Sequence, residues 1–230
     1  MKPDPRAHRK RVFFGMKEQV PAPASGPRRN TDEAPDVDVW NTVDERIQSL
    51  QMMRAEADRN FTFRQAFDLS AGKFVKLADA TMRDLDVAQD GRWAVGRDTR
   101  GYISDYKRAA ADIYRVNITT GERTLMLKNQ MINTSTGNHT CGISPDGRHF
   151  LYWKDNKFQV YDLDSATSRT LGGNSAVSFV DMEFDHPGPR GCLQPSAWAP
   201  ASQTCTELCL FATVSYSRSI AGFRRLHPSP

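Results

Sequence analysis

Residues 142–171, GISPDGRHFLYWKDNKFQVYDLDSATSRTL, constrain the fold most, because they spell three short strands and two turns in a fixed order. In Ser144-Pro145-Asp146-Gly147 the proline pre-sets φ and the glycine permits the positive φ of a tight turn. Phe150 to Trp153 is an unbroken apolar run, which suits a strand buried on both faces. After Lys154-Asp155-Asn156 the chain alternates through Phe158, Val160 and Tyr161, turns at Asp164-Ser165-Ala166 and leaves through Arg169-Thr170-Leu171. A unit this small cannot bury its own faces, so it needs neighbours of the same kind.

Such neighbours stand earlier in the chain. Aligning the third strand and its exit turn gives Phe67-Asp68-Leu69-Ser70, Tyr114-Arg115-Val116-Asn117 and Tyr161-Asp162-Leu163-Asp164, with offsets of 114 − 67 = 47 and 161 − 114 = 47. The entry turns agree in type: Asp90-Gly91-Arg92 precedes Trp93-Ala94-Val95 as Asp146-Gly147-Arg148 precedes Phe150-Leu151-Tyr152. Their offset is 146 − 90 = 56, and the excess is assigned to a polar insertion around Gly101 to Arg108. A self-similar unit of about 40–50 residues with four short strands is the sequence mark of a propeller blade. The expected fold is all-β: an incomplete β-propeller of four-stranded antiparallel blades with one helical insertion. Trp93 and Trp153, each beyond its own Asp-Gly turn, are expected on corresponding interior strands and shielded from water.

Three regions follow in order. Residues 1–35 read as an irregular lead-in with one strand, Val12-Phe13-Phe14-Gly15, and a proline-rich loop over Pro21 to Pro35. Residues 36–189 read as the partial propeller, with about three recognisable blades and the start of a fourth at Ala176 to Asp181. Within it, Asp36 to Trp40 alternates as a half-wet strand. Thr42 to Arg59 turns helical, with Val43, Ile47, Leu50 and Met53 at helical spacing and Asp44-Glu45 in the first turn, where the helix dipole favours anions. Residues 190–230 read as an irregular tail, divergent or out of frame, since no further strand, Asp-Gly and strand unit occurs there. Three units would leave an unpaired strand at each end of the array.

Composition excludes several classes. Lysine and arginine exceed aspartate and glutamate by 31 − 27 = 4, spread along the chain, which gives no basis for nucleic-acid binding. His8-Arg9-Lys10-Arg11 reads as a solvated terminus. Cys141, Cys192, Cys205 and Cys209 form no paired metal-ligand pattern, so neither metal nor cofactor is expected. No apolar stretch is long enough to span a bilayer, and no signal peptide is visible.

Several motifs together resemble the N-terminal propeller of bacterial serine peptidases of the prolyl oligopeptidase family, in the branch nearer dipeptidyl peptidase IV. They are Asp36-Val37-Asp38-Val39-Trp40 followed by Asp44-Glu45-Arg46-Ile47-Gln48, then Asp90 to Asp98, then Ser144-Pro145-Asp146-Gly147-Arg148, then Phe179-Val180-Asp181 leading to Asp185-His186-Pro187-Gly188. The resemblance spans roughly Val12 to Pro189. It implies a propeller set over an α/β-hydrolase domain, filtering the peptides that reach it, in a periplasmic or secreted protein. It also implies that an acidic pair on a propeller helix holds the substrate amino terminus, for which Asp44 and Glu45 are the candidates.

No catalytic residue is assigned. A hydrolase nucleophile turn has the form G-x-S-x-G, whereas Gly142-Ile143-Ser144-Pro145-Asp146 and Gly173-Asn174-Ser175-Ala176-Val177 both lack the last glycine. Asp185 and His186, being adjacent, would point to opposite faces of a strand. Three readings result. The chain is a non-catalytic propeller segment of a serine peptidase, partnered by a C-terminal hydrolase domain and by peptide substrate; or a stand-alone TolB-like binding propeller for protein partners; or a non-functional truncated product.

Overall fold

The computed structural model describes residues 11–19, 41, 43–104, 107–132, 139–171 and 179–180, together with strands at Pro195–Trp198 and Leu210–Ala212. The chain divides into two units, Met1–Cys192 and Leu193–Pro230. In the first unit three antiparallel sheets follow one another along the chain, and the architecture is that of an incomplete all-β propeller. The first sheet has the order β1 (Arg11–Met16), β2 (Phe63–Asp68), β3 (Lys73–Lys76). The second runs β4 (Asp84–Val87), β5 (Trp93–Asp98), β6 (Ala110–Asn117), β7 (Arg123–Met131), and the third β8 (Thr140–Ile143), β9 (His149–Lys154), β10 (Lys157–Asp162), β11 (Thr167–Thr170). The second unit contains an antiparallel pair, β12 (Pro195–Trp198) with β13 (Leu210–Ala212). The expected strand at Asp36 to Trp40 and most of Ala176 to Asp181 lie outside the described residues; within the latter, the Phe179 ring meets Phe158 edge-on at 5.6 Å.

Side-chain chemistry at the turns fixes the repeat. Asp68, Asn117 and Asp162 end β2, β6 and β10, and in each the Oδ1 accepts the backbone N–H groups two and three residues on: Ser70 and Ala71, Thr119 and Thr120, Asp164 and Ser165. These are the Asx turns that short polar side chains favour. The equivalent positions are therefore spaced 117 − 68 = 49 and 162 − 117 = 45, not 47 and 47. The entry turns match likewise. Gly91 and Gly147 take φ of 67° and 72°, and Asp90 and Asp146 accept from the N–H of Arg92 and Arg148. The carbonyls of Arg92 and Arg148 then receive the N–H of Ile118 and Leu163, at 3.1 and 2.7 Å.

This register sorts every face. Ala94 and Val116 pair across β5 and β6 and look back at the first sheet, where they join Ala66, Val75, Leu77, Met82 and Ile118 in one core. Val95 and Ile113 look forward and join Phe150, Tyr152, Tyr161 and Leu163 in a second core. Apolar burial on both faces of the middle sheet is the main driving force for stacking. The two entry turns also abut: a Cβ on Gly147 would stand 2.4 Å from the Asp90 carboxylate and displace it, on a backbone whose φ of 72° already favours glycine.

Polar ties lock the joints. Arg123 on β7 bonds Leu77 O at 2.9 Å and pairs with Asp79 at 3.1 Å, binding the first sheet's exit to the second sheet's outer strand. Between the second and third sheets, Asp164 accepts from Trp93 Nε1 at 2.8 Å and meets both Arg92 and Arg148. The Arg115 guanidinium lies over the Trp93 ring at 4.4 Å. Trp93 and Trp153 do sit on corresponding strands, β5 and β9, but at the first and fifth positions. Trp153 is 3% exposed, whereas Trp93 at the sheet's end is only half-buried.

The helix differs from its sequence reading. It spans α1 (Gln48–Asn60), has no buried residue and carries no acidic side chain in its first turn. Asp44 and Glu45 precede it by four and three residues, in a turn where Asp44 N–H bonds Asn41 O at 3.0 Å. The spacing of Val43, Ile47, Leu50 and Met53 is helical, but no core lies within reach to capture that stripe, and helices this short owe their limits to packing more than to periodicity.

Candidate binding cleft

The segment around α1 is tied to the second sheet by charge and aromatic contact. Asp58 near the helix end accepts from Arg83 Nη2 at 2.8 Å, and the same guanidinium lies 4.1 Å over the Phe61 ring, which in turn meets Phe63 edge-on at 5.3 Å. Lys17 bonds the carbonyl of Arg59 from beyond β1. These ties hold the segment across one end of the second sheet and enclose a cleft of about 500 Å³. Glu45, Arg46, Arg54 and Asp58 line its helix side; Asp84, Arg97 and Arg100 line its sheet side.

Most of the sheet-side charge is already engaged. Arg97 pairs with Asp86 at 2.6 Å and Arg100 forks onto Asp98 at 2.8 and 3.0 Å. The Arg100 fork holds the Asp98 carboxyl below the usual carboxylate range, against a partial desolvation that would raise it. Deeper in the joint, burial alone would raise Asp79, yet the Thr81 hydroxyl and the Arg123 guanidinium hold it well below its ordinary value. On the helix side, among the described residues, Arg46 and Arg54 make no ion pair, and neither does Glu45. The cleft thus offers two carboxylates, Glu45 and Asp84, and two guanidinium groups to an occupant with both charges, or with one charged end and a polar backbone. Unengaged charges of this kind contribute little while exposed to water and more once an occupant displaces it.

Of the two candidate residues from the sequence, Glu45 lines this cleft and Asp44 does not. Arg83, Arg97 and Arg100 went unnoticed in the sequence, since each looks like an ordinary surface charge until the sheet ends and the helix are brought together. The region of Ser144 is a locked turn. Ser144 is buried, its Oγ bonds Asp146 and accepts the His149 N–H at 2.9 Å, and the His149 ring stands 3.7 Å from Asp146. The hydroxyl therefore faces a carboxylate, and among the described residues no imidazole is hydrogen-bonded to it in the way a serine nucleophile needs. Cys192, Cys205, Cys209, Asp185 and His186 lie outside the described residues, among which no group of three or more His, Cys, Asp or Glu side chains is placed to hold a metal ion. No described helix is long and apolar enough to cross a membrane.

No protein-family model and no curated protein matches the chain. Solved structures do match. Dipeptidyl peptidase 4 of Porphyromonas gingivalis is similar over 49% of this chain and 17% of its own, at 17% identity and a TM-score of 0.33. A TolB-type protein of Agrobacterium tumefaciens matches 49% of this chain and 42% of its own, at 18% identity and a TM-score of 0.27. TolB of Acinetobacter baumannii matches 48% and 26%, at 17% identity and a TM-score of 0.28. The chain thus spans less than half the length of each of these structures.

Proposed function

We propose that this chain is a non-catalytic propeller segment that receives a peptide in the cleft beside α1, as part of a serine peptidase of the prolyl oligopeptidase family in its dipeptidyl peptidase IV-like branch. The single observation that carries the reading is the helix-bearing insertion closing a cleft against the second sheet with Glu45 and unengaged guanidinium groups inside it. A plain repeat of strands has no need of such a wall. In this role Glu45 takes the free amino terminus, and Arg46 and Arg54 donate to carbonyl or carboxylate oxygens further along the peptide, a charge-assisted arrangement stronger than neutral hydrogen bonds. Bond cleavage belongs to a hydrolase domain, which supplies the nucleophile, the base and the oxyanion donors.

Calorimetric titration with a short peptide bearing a free amino terminus, and with its N-acetylated form, tests this. The free-amino peptide should bind, and acetylation or Glu45→Gln should each weaken it by about tenfold, the worth of one exposed charge-assisted contact. Equal affinity for the two peptides would remove the role of Glu45, and absence of binding to either would remove the cleft. The second reading, a TolB-like propeller that binds a protein partner, is favoured by the exposed apolar face of the first sheet; binding of neither peptide would favour it.

A further inference from the structure

The charges lining the cleft beside α1 fall into two groups. Arg83, Arg97 and Arg100 are engaged by Asp58, Asp86 and Asp98, at 2.8, 2.6 and 2.8 Å. Glu45, Arg46 and Arg54 on the helix side and Asp84 at the start of β4 make no ion pair among the described residues. These two carboxylates and two guanidinium groups sum to zero. An occupant with a net charge leaves part of the set unmatched, whereas one with an ammonium at one end and a carboxylate at the other matches both signs. The match matters once water is displaced, because a charge enclosed without its counterpart loses hydration and gains nothing in return. Size narrows the choice. A cleft of about 500 Å³ is about 8 Å across on average, which an extended chain crosses in about two to three residues at ~3.3–3.6 Å each.

We infer that the cleft takes a whole short peptide, of about two to three residues, by both of its ends. Glu45 and Asp84 receive the terminal ammonium, and Arg46 and Arg54 receive the terminal carboxylate. Under the peptide-binding reading, on which this rests, only the amino terminus is needed; the charge balance adds the other end. For Arg46 and Arg54 a carboxylate is a stronger partner than a backbone carbonyl, since both groups are then charged and the contact can be bidentate. A longer chain carries its carboxylate beyond the cleft and leaves the two guanidinium groups with carbonyls alone. Recognition at the ends reads the length of a peptide and not its side chains.

Calorimetric titration of the 230-residue chain with a tripeptide, its C-terminal amide, its N-acetyl form and a decapeptide that opens with the same sequence tests this. Amidation and the longer chain should each weaken binding by about tenfold. Arg46→Gln combined with Arg54→Gln should make acid and amide bind alike, while Glu45→Gln should weaken both and keep the preference for the acid. Weakening on acetylation with acid and amide equal would overturn capture of the second end and leave the amino-terminal reading standing. Acetylation without effect, or no binding of any peptide, would remove the amino-terminal contact on which the whole depends. A preference for the acid that survives the double substitution or disappears with Glu45→Gln, or a decapeptide that binds as tightly as the tripeptide, would also overturn it.

Discussion

At the scale of the residue, the structure turns on short polar side chains that satisfy their own backbone and arginines that reach across joints. Asp79 shows both, holding Thr81 N–H at 2.9 Å and the Arg123 guanidinium at 3.1 Å. Its carboxyl is held below its unfolded value, so its contribution to stability is complete above about pH 4 and is lost as pH falls through the lower folded value. Asp79→Asn should cost about 2 kcal/mol at neutral pH, as loss of a hydrogen-bonded charge does, and should flatten the acid limb of stability. Urea midpoints near pH 7 and near pH 3 check both; an unchanged acid limb would contradict the assignment. Local chemistry of this kind was legible in the sequence where Asp-Gly or a strand-ending Asp named the turn. The placing of Glu45 was not, because it depends on Arg83 meeting Asp58 across 25 residues of chain.

At the scale of the element, β9 is the strand on which the joint between the second and third sheets depends. Phe150 is fully buried, stacked near Tyr152 at 6.2 Å and packed with Val95, Ile113 and Leu163. Phe150→Ala should destabilise by about 3–5 kcal/mol, from lost transfer energy and an incompletely collapsed cavity. Chemical denaturation measures it, and a loss below about 1 kcal/mol would mean that the joint is loose. Strand and turn order for β5 to β11 was readable from apolar runs between turn residues. The register between sheets was read two residues off at β6, and for a physical reason: a shift of two returns each side chain to the same face, so Tyr114 and Val116 both look back at the first sheet and alternation cannot tell them apart. Hydrogen bonding at Asn117 does. The helix start was misplaced because the apolar stripe of Thr42 to Arg59 has no core to define its ends, and helical spacing alone extends into the turn at Asp44.

At the scale of the whole molecule, stacked sheets bury their faces on one another and leave the chemistry to what is laid across their ends. Fold class was therefore open to sequence reasoning, through turns and alternation, while the cleft was not, since its walls come from segments that share no motif. Incubating a proline-containing peptide of free amino terminus with the 230-residue chain, and analysing bound and free fractions by mass spectrometry, tests the proposed role in one measurement. The expected result is peptide retained on the chain and recovered intact; cleaved peptide, or none retained, would contradict a non-catalytic peptide-positioning segment.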